Sequence, residues 1–317
     1  MTHQKYEAWP ELPIAHWSET LETLHLWTQI VGKIRLAQMQ WINHSWHVTL
    51  YVTARGLTTM PMPDGSRIFQ IDFDFIDHML NVWVNDGAAR RIPLRPMSVA
   101  TFYRELFGTL DELGLDIRIN TTPNELVDPI PFDQDEIHAA YNPDYVNRFW
   151  RVLAQTERVF QQFRSRFGGK VSPVHFFWGS FDLAVTRFSN QRAPQHPGGI
   201  PNLPDWVTRE AYSHEVSSAG FWPGNAQSPM PFFYSYAYPE PDGFSRYTIE
   251  PAVAYYSDTF RESVLPYDAV RTATDPDRVL LDFLQSTYDA AADLGNWDRS
   301  ELDCELPPRE ARSRRRD

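Results

Sequence analysis

The stretch REAYSHEVSSAGFWPG, residues 209–224, sets His214 beside Glu215 and follows them with small residues and an aromatic pair, Phe221 and Trp222. An imidazole can serve near neutral pH as a general base or metal ligand, and a carboxylate can share the proton work. The HExxH pattern of a zinc peptidase is missing, because Ser218 stands where the second histidine belongs. The segment reads as part of a long loop, residues 189–230. In that loop His214 or Glu215 acts as ligand or acid/base, with Trp222 and Phe221 as pocket wall. The structural alternative is a loop folded over a sheet edge, its histidine satisfied by backbone carbonyls.

Further candidates sit in strand-like stretches. NHSWHV carries His44 and His47 three positions apart. On a helix they would share a face and could chelate, but this pattern leads into a strand, where they face opposite sides. His175 opens the corresponding stretch later in the chain, so His47, His175 and His214 can meet across a cleft and offer three imidazoles to zinc, iron or copper. Buried histidines held by hydrogen bonds explain the same residues. Asp182 interrupts GSFDLAVTRF, and Arg55 ends the matching strand beside a glycine. The Arg55 fork suits a carboxylate or phosphate ligand, or an ion pair with Asp72 or Asp74. Those two aspartates share a strand face, as a divalent-ion site or simply a solvated edge. Trp178 joins Trp222 as a wall candidate, and Tyr234, Tyr236 and Tyr238 form a row that lines a pocket or packs under a helix or loop. The phosphate-loop, dinucleotide-binding, GxSxG and CxxC patterns are absent, which disfavours common kinases, dinucleotide oxidoreductases and serine hydrolases. No motif specifies a cofactor or a metal.

The elements that must position these groups alternate between helical and strand periodicity. A helix is predicted from Trp17 to Gln38, then a strand in HSWHVTLYVTARGLTT, a loop in MPMPDGSR and an alternating strand in IFQIDFDFIDH. A hairpin turns at Asn85, Asp86 and Gly87, a helix runs from the N-cap Ser98 to Gly114, and LDIRIN returns as a strand. After a proline-marked connection, residues 121–143, the order repeats. A striped helix ends at two glycines, a strand spans PVHFFWGSFDLAVTRFS, FFYSYAYPEP and VAYYSDTF pair, and a helix runs from the cap Asp275 to Gly295. The expected fold is α+β, in two related halves (residues 1–128 and 129–298), each an antiparallel sheet covered on one face by helices. Residues 299–317 read as a charged, disordered tail.

Composition narrows the function classes. A net charge of −12 argues against an extended nucleic-acid surface. No run is long and apolar enough for a membrane span, and the N-terminus lacks a signal-peptide core. The single cysteine, Cys304, excludes an intrachain disulfide framework, and the cytoplasm is the expected location.

WPELP, TLHLWTQIVGKIRLA, YVTARGLTT, IDFDFIDH, PVHFFWGSFDLAVTRFS, REAYSHEVSSAGFWPG and FLQSTYDAAADLGNWDR together resemble a family of bacterial proteins known only as a domain of unknown function. The likeness runs from Trp9 to Arg299 and implies a soluble, stand-alone cytoplasmic protein, without site residues to transfer. The expected function is binding of a small molecule between the halves, with possible catalysis. The expected site holds His214, Glu215, His175 and Asp182 as the reactive set and Arg55, His47, Trp178 and Trp222 as ligand-binding residues. The alternative is a non-catalytic protein-interaction module whose aromatic, proline-rich loops form a partner surface.

Overall fold

The computed structural model describes residues 7–304. The expected helices form where capping and periodicity agree. α1 (Ser18–Gln38) is followed by α2 (Val99–Glu112), whose N-cap Ser98 accepts the Thr101 amide. α3 (Pro143–Arg164) and α6 (Pro276–Leu294) each carry proline in the first turn behind a capping Asn142 or Asp275. Shorter helices are α4 (Asp205–Ala211), α5 (Tyr267–Arg271) and α7 (Arg299–Leu302).

The strands build two antiparallel sheets. The first comprises β1 (Tyr51–Val52), β2 (Gly56–Thr58), β4 (Arg67–Asp74), β5 (Met79–Val84) and β6 (Ala89–Pro93) in that order, with β3 (Met62–Asp64) paired onto β4. The second runs β11 (Tyr255–Ser257), β12 (Glu262–Pro266), β10 (Phe232–Tyr238), β9 (His214–Trp222), β8 (Asp182–Arg192), β7 (His175–Phe177). They meet where Leu50 and Phe176 exchange backbone hydrogen bonds of 2.9 and 2.7 Å. Behind this seam lies α3, whose Trp150 donates its indole N–H to the Thr53 carbonyl at 3.0 Å.

One core serves both sheets. Trp27 of α1 stacks on Phe102 of α2 at 4.7 Å, and Trp17 meets Phe149 of α3, which stacks on Phe181 at 5.1 Å. The division expected at residue 128 therefore does not divide the hydrophobic cluster, which takes residues from both sides of it. α1 is buried nearly all round, including Gln29, Lys33 and Arg35, because it is packed from more than one direction. The second sheet presents Leu183, Val185, Phe221 and Phe233 to this core, with α3 and α6 packed on its strands.

Several local readings are corrected. PVHFFWGSFDLAVTRFS is a hairpin, β7 and β8, turning at Trp178–Phe181 with Phe181 at a positive φ of 60°. MPMPDGSR contains β3, and LDIRIN forms no strand. His44 and His47 do not enter a strand. Residues 43–45 form a 3-10 turn with His44 and Ser45 at φ 58° and 57°. The supposed loop 189–230 holds the end of β8, α4 and the whole of β9. β9 escaped notice because Ser217, Ser218, Ala219 and Gly220 carry no β-branched or aromatic signal. The expected tail is ordered as far as Cys304. Leu302 is buried, and Arg299 pairs with Asp289, Asp293 and Asp303; residues 305–317 lie outside the described residues.

Gly32, inside α1, lies against Trp178, and a methyl group there would come within 2.2 Å of the indole. Overpacking of this kind costs about 1–3 kcal/mol. Gly32→Ala should lower the melting temperature despite its better helix propensity and alter the near-ultraviolet circular dichroism of the tryptophans. An unchanged transition would show that the contact relaxes freely.

Candidate functional site

The side chains on the other face of the second sheet are graded in size. Ala184 pairs with His175 on one side and Gly220 on the other, and Gly220 pairs in turn with Tyr234. One row along, Thr186 faces Ser218 and Ser218 faces Tyr236. Small residues in the middle of the sheet, flanked by large ones, leave a depression. Gly220 is required because a methyl group there would sit 2.3 Å from the Tyr234 ring.

Irregular segments roof this depression and enclose a cavity of about 650 Å³. Residues 41–48 and α4 are tied together where the His44 amide donates to Glu210, His44 Nδ1 donates to the Ala211 carbonyl at 3.0 Å, and Trp41 meets Trp206 at 5.1 Å. The second roof piece, Asn124–Glu125, is held from below by α1. Gln29 exchanges hydrogen bonds with the Asn124 backbone at 3.0 and 2.8 Å, and Lys33 donates to the Thr122 carbonyl. It is tied sideways to residues 200–202 by the Glu125 amide on Pro201 and by Asn202 on Leu126.

Three carboxyl groups line the cavity: Glu125, Asp182 and Glu262. Asp182 accepts from the Ser180 hydroxyl and the Tyr234 phenol. The Glu125 carboxyl lies against Gly179, where a methyl group would be 2.0 Å from its Oε1. Burial, and then the proximity of Asp182, pushes Glu125 up to about 7 and Glu262 up to about 8. Burial likewise raises Asp182, against the lowering effect of its two hydroxyl donors. None of the three belongs to an ion pair among the described residues. Carboxyl groups poised near neutral pH can exchange protons with a bound molecule, the requirement for general acid/base work. Tyr212 and Tyr236 join through their hydroxyls at 2.6 Å on the same wall.

A family model described as a family of unknown function (DUF5996) matches residues 9–304. The chain belongs to that family. No curated protein and no solved structure matches it. The chemistry of this DUF5996 protein is therefore read from its own side chains.

Of the expected residues, His175, Asp182, His47, Trp178 and Trp222 line the cavity. His175 is buried and held neutral, its pKa lowered to about 3 by burial and then by Arg164. Trp178 donates to the Val48 carbonyl at 2.8 Å, and His47 Nδ1 accepts the Ile42 amide. His214, Glu215 and Arg55 lie elsewhere. His214 starts β9 beside Ser213, 6.1 Å from the His44 ring. Glu215 points to the opposite face of the strand and accepts from Ser189 at 2.8 Å, as alternation requires of neighbours. Arg55 takes the ion-pair alternative, binding Asp74 at 2.6 Å and Asp77 at 2.8 Å, while Asp72 on the same strand face accepts from Gln70 and the Trp83 indole. The conditional meeting of His47, His175 and His214 does not arise, since His214 lies away from the cavity, and no group of three or more His, Cys, Asp or Glu among the described residues could hold a metal ion.

Sequence reading missed Glu125 and Glu262. Glu125 sits in an irregular segment at a positive φ of 62°, and Glu262 opens a short strand, so neither shows a periodic signal. A faint cue for the first was Gly179 directly after Trp178, a glycine that makes room for a neighbour.

The raised carboxyl groups fix a stability slope. With folded values above the ordinary 4.5, Glu125 and Glu262 bind more protons in the folded state. Their stabilising contribution is complete below that ordinary value and is lost as pH rises towards 7 for Glu125 and 8 for Glu262. Relative to the parent protein, Glu125→Gln should therefore gain melting temperature by calorimetry as pH rises from about 4.5 to about 7, and Glu262→Gln from about 4.5 to about 8, each levelling off above that value. A pH-independent difference would contradict the burial of these carboxyl groups.

Proposed function

We propose that this protein binds a small organic molecule in the cavity over its second sheet. The observation that carries the reading is the cavity itself: small residues of β8 and β9 floor an aromatic-walled space lined by Glu125, Asp182 and Glu262, none of which has an ion-pair partner among the described residues. A desolvated carboxyl group without a counter-charge is costly, so three of them on one aromatic-walled space support a ligand that completes them. The volume suits a drug-sized or metabolite-sized molecule. Glu125, Asp182 and Glu262 are the groups positioned for proton transfer if the ligand is also a substrate.

The protein-interaction alternative draws on exposed Leu36, Trp41 and Trp206. These three side chains also line the cavity and so are better read as its entrance rim. Helix, strands, helix occurs twice along the chain, which supports an origin from related halves. Within the same reading the protein works in the cytoplasm, where the exposed thiol of Cys304 stays reduced.

The neutral dye N-phenyl-1-naphthylamine tests the cavity. Saturable fluorescence enhancement is expected, and it should disappear in Ser218→Trp or Ala184→Phe, which fill the floor, in whichever variant keeps a cooperative melt. Undiminished enhancement in a folded filled variant would overturn the proposal.

A further inference from the structure

The geometry points to an organic cation carrying N–H donors, a protonated amine on an apolar body, as the ligand class. This rests on the reading of the cavity as a ligand site and specifies what it takes.

Carboxyl groups dominate the charge-bearing part of the wall. Thr49 donates its one hydroxyl hydrogen to the Trp46 carbonyl, so its oxygen must accept from His175 Nδ1–H. His175 Nε2 is then the bare lone pair of a neutral ring, and it is buried without a partner. Asn124 spends its amide nitrogen on the Asn202 carbonyl, which fixes the orientation of the amide and leaves Oδ1 as a second unpaired acceptor. Glu125, Asp182 and Glu262 add carboxylate acceptors. Once ionised, these carboxylates take hydrogens from a ligand rather than lone pairs.

Charge has the same direction. Among the described residues no lysine or arginine lines the cavity, and none lowers any of the three carboxyl groups. Lys170, the cation beside His44, donates to His44 Nε2 and sits over the Phe188 ring. The other titratable groups facing the carboxyls stay neutral: burial raises the phenols of Tyr212, Tyr234 and Tyr236, and burial lowers His44, His47 and His175. Once ionised, the carboxyl groups repel an anion, and a neutral molecule leaves them without a counter-charge. The walls suit the rest of such a ligand. Trp222, Phe232 and Phe260 form an aromatic group with centroids 5.3 to 6.4 Å apart, and aromatic faces attract a desolvated cation. A bound ammonium pulls the Glu125 and Glu262 carboxyls back down, so binding releases protons and tightens as pH rises from 6 towards 8.

Titration calorimetry on the full chain decides this. The probes are 2-phenylethylamine and tryptamine, each compared with the corresponding alcohol, carboxylic acid and N,N,N-trimethyl compound. The amine should bind about tenfold or more tighter than its alcohol, with the trimethyl compound between them and the acid failing to bind. Glu125→Gln and Glu262→Gln, shown folded by their melts, should each weaken the amine about tenfold and reduce the proton release. An alcohol or acid that matches the amine overturns the cation assignment, as does amine affinity indifferent to both variants. If no amine binds while the neutral dye still enters, the assignment falls and the cavity reading stands; if neither enters, both fall.

Discussion

A sheet has two faces to cover, and here long helices cover only one. α3 and α6 pack on the second sheet from the side of Leu183, Val185, Phe221 and Phe233. The opposite face is closed by short segments, residues 41–48, 124–125 and 200–212, the last including the two-turn α4, which span the sheet without filling the depression beneath it. The depression exists because β9, a central strand, is built of small residues there. Its stability is then carried by the neighbouring aromatic rings: Tyr234 lies across Gly220 and reaches Asp182 with its hydroxyl. Close packing elsewhere makes the space at this site a specific feature of the fold.

The roof is fastened to the core rather than laid on it. Gln29 and Lys33, buried polar residues of α1, hold the 122–124 backbone and thereby present Asn124 and Glu125 to the cavity. The same helix receives Trp178 at Gly32, so one element sets both a wall and part of the roof. A buried helix with polar side chains on several faces is costly unless each is paired, and here their partners are the segments that shape the site.

Electrostatics give the cavity its character. Three carboxyl groups are desolvated together, two hydroxyls steady Asp182, and the imidazoles around them stay neutral. Such a site holds free energy that a complementary partner releases on binding. The contrast with Arg55 is instructive. Its ion pairs with Asp74 and Asp77 lie at a half-exposed surface of the first sheet and are satisfied within the protein.

Elements with strong local signals were legible in the amino-acid sequence alone. α1, α2 and α6 fell within a residue or two of their observed ends, whereas the helix expected to run to Gly168 stops at Arg164, and the antiparallel α+β class followed from alternation in IFQIDFDFIDH and FFYSYAY. His175, Asp182, His47, Trp178 and Trp222 were recognisable because charged or bulky groups within apolar stretches stand out. Tertiary structure alone decided the rest. β9 is a strand because its small residues must fit between Ala184 and Tyr234, a requirement set by neighbours about 35 and 14 residues away in the chain. His44 turns inward because of a left-handed backbone, and Glu125 enters the cavity because Gly179, far along the chain, leaves it room. Periodicity records which side of its own element a residue occupies; convergence on a site depends on contacts distant in sequence, which no local pattern encodes.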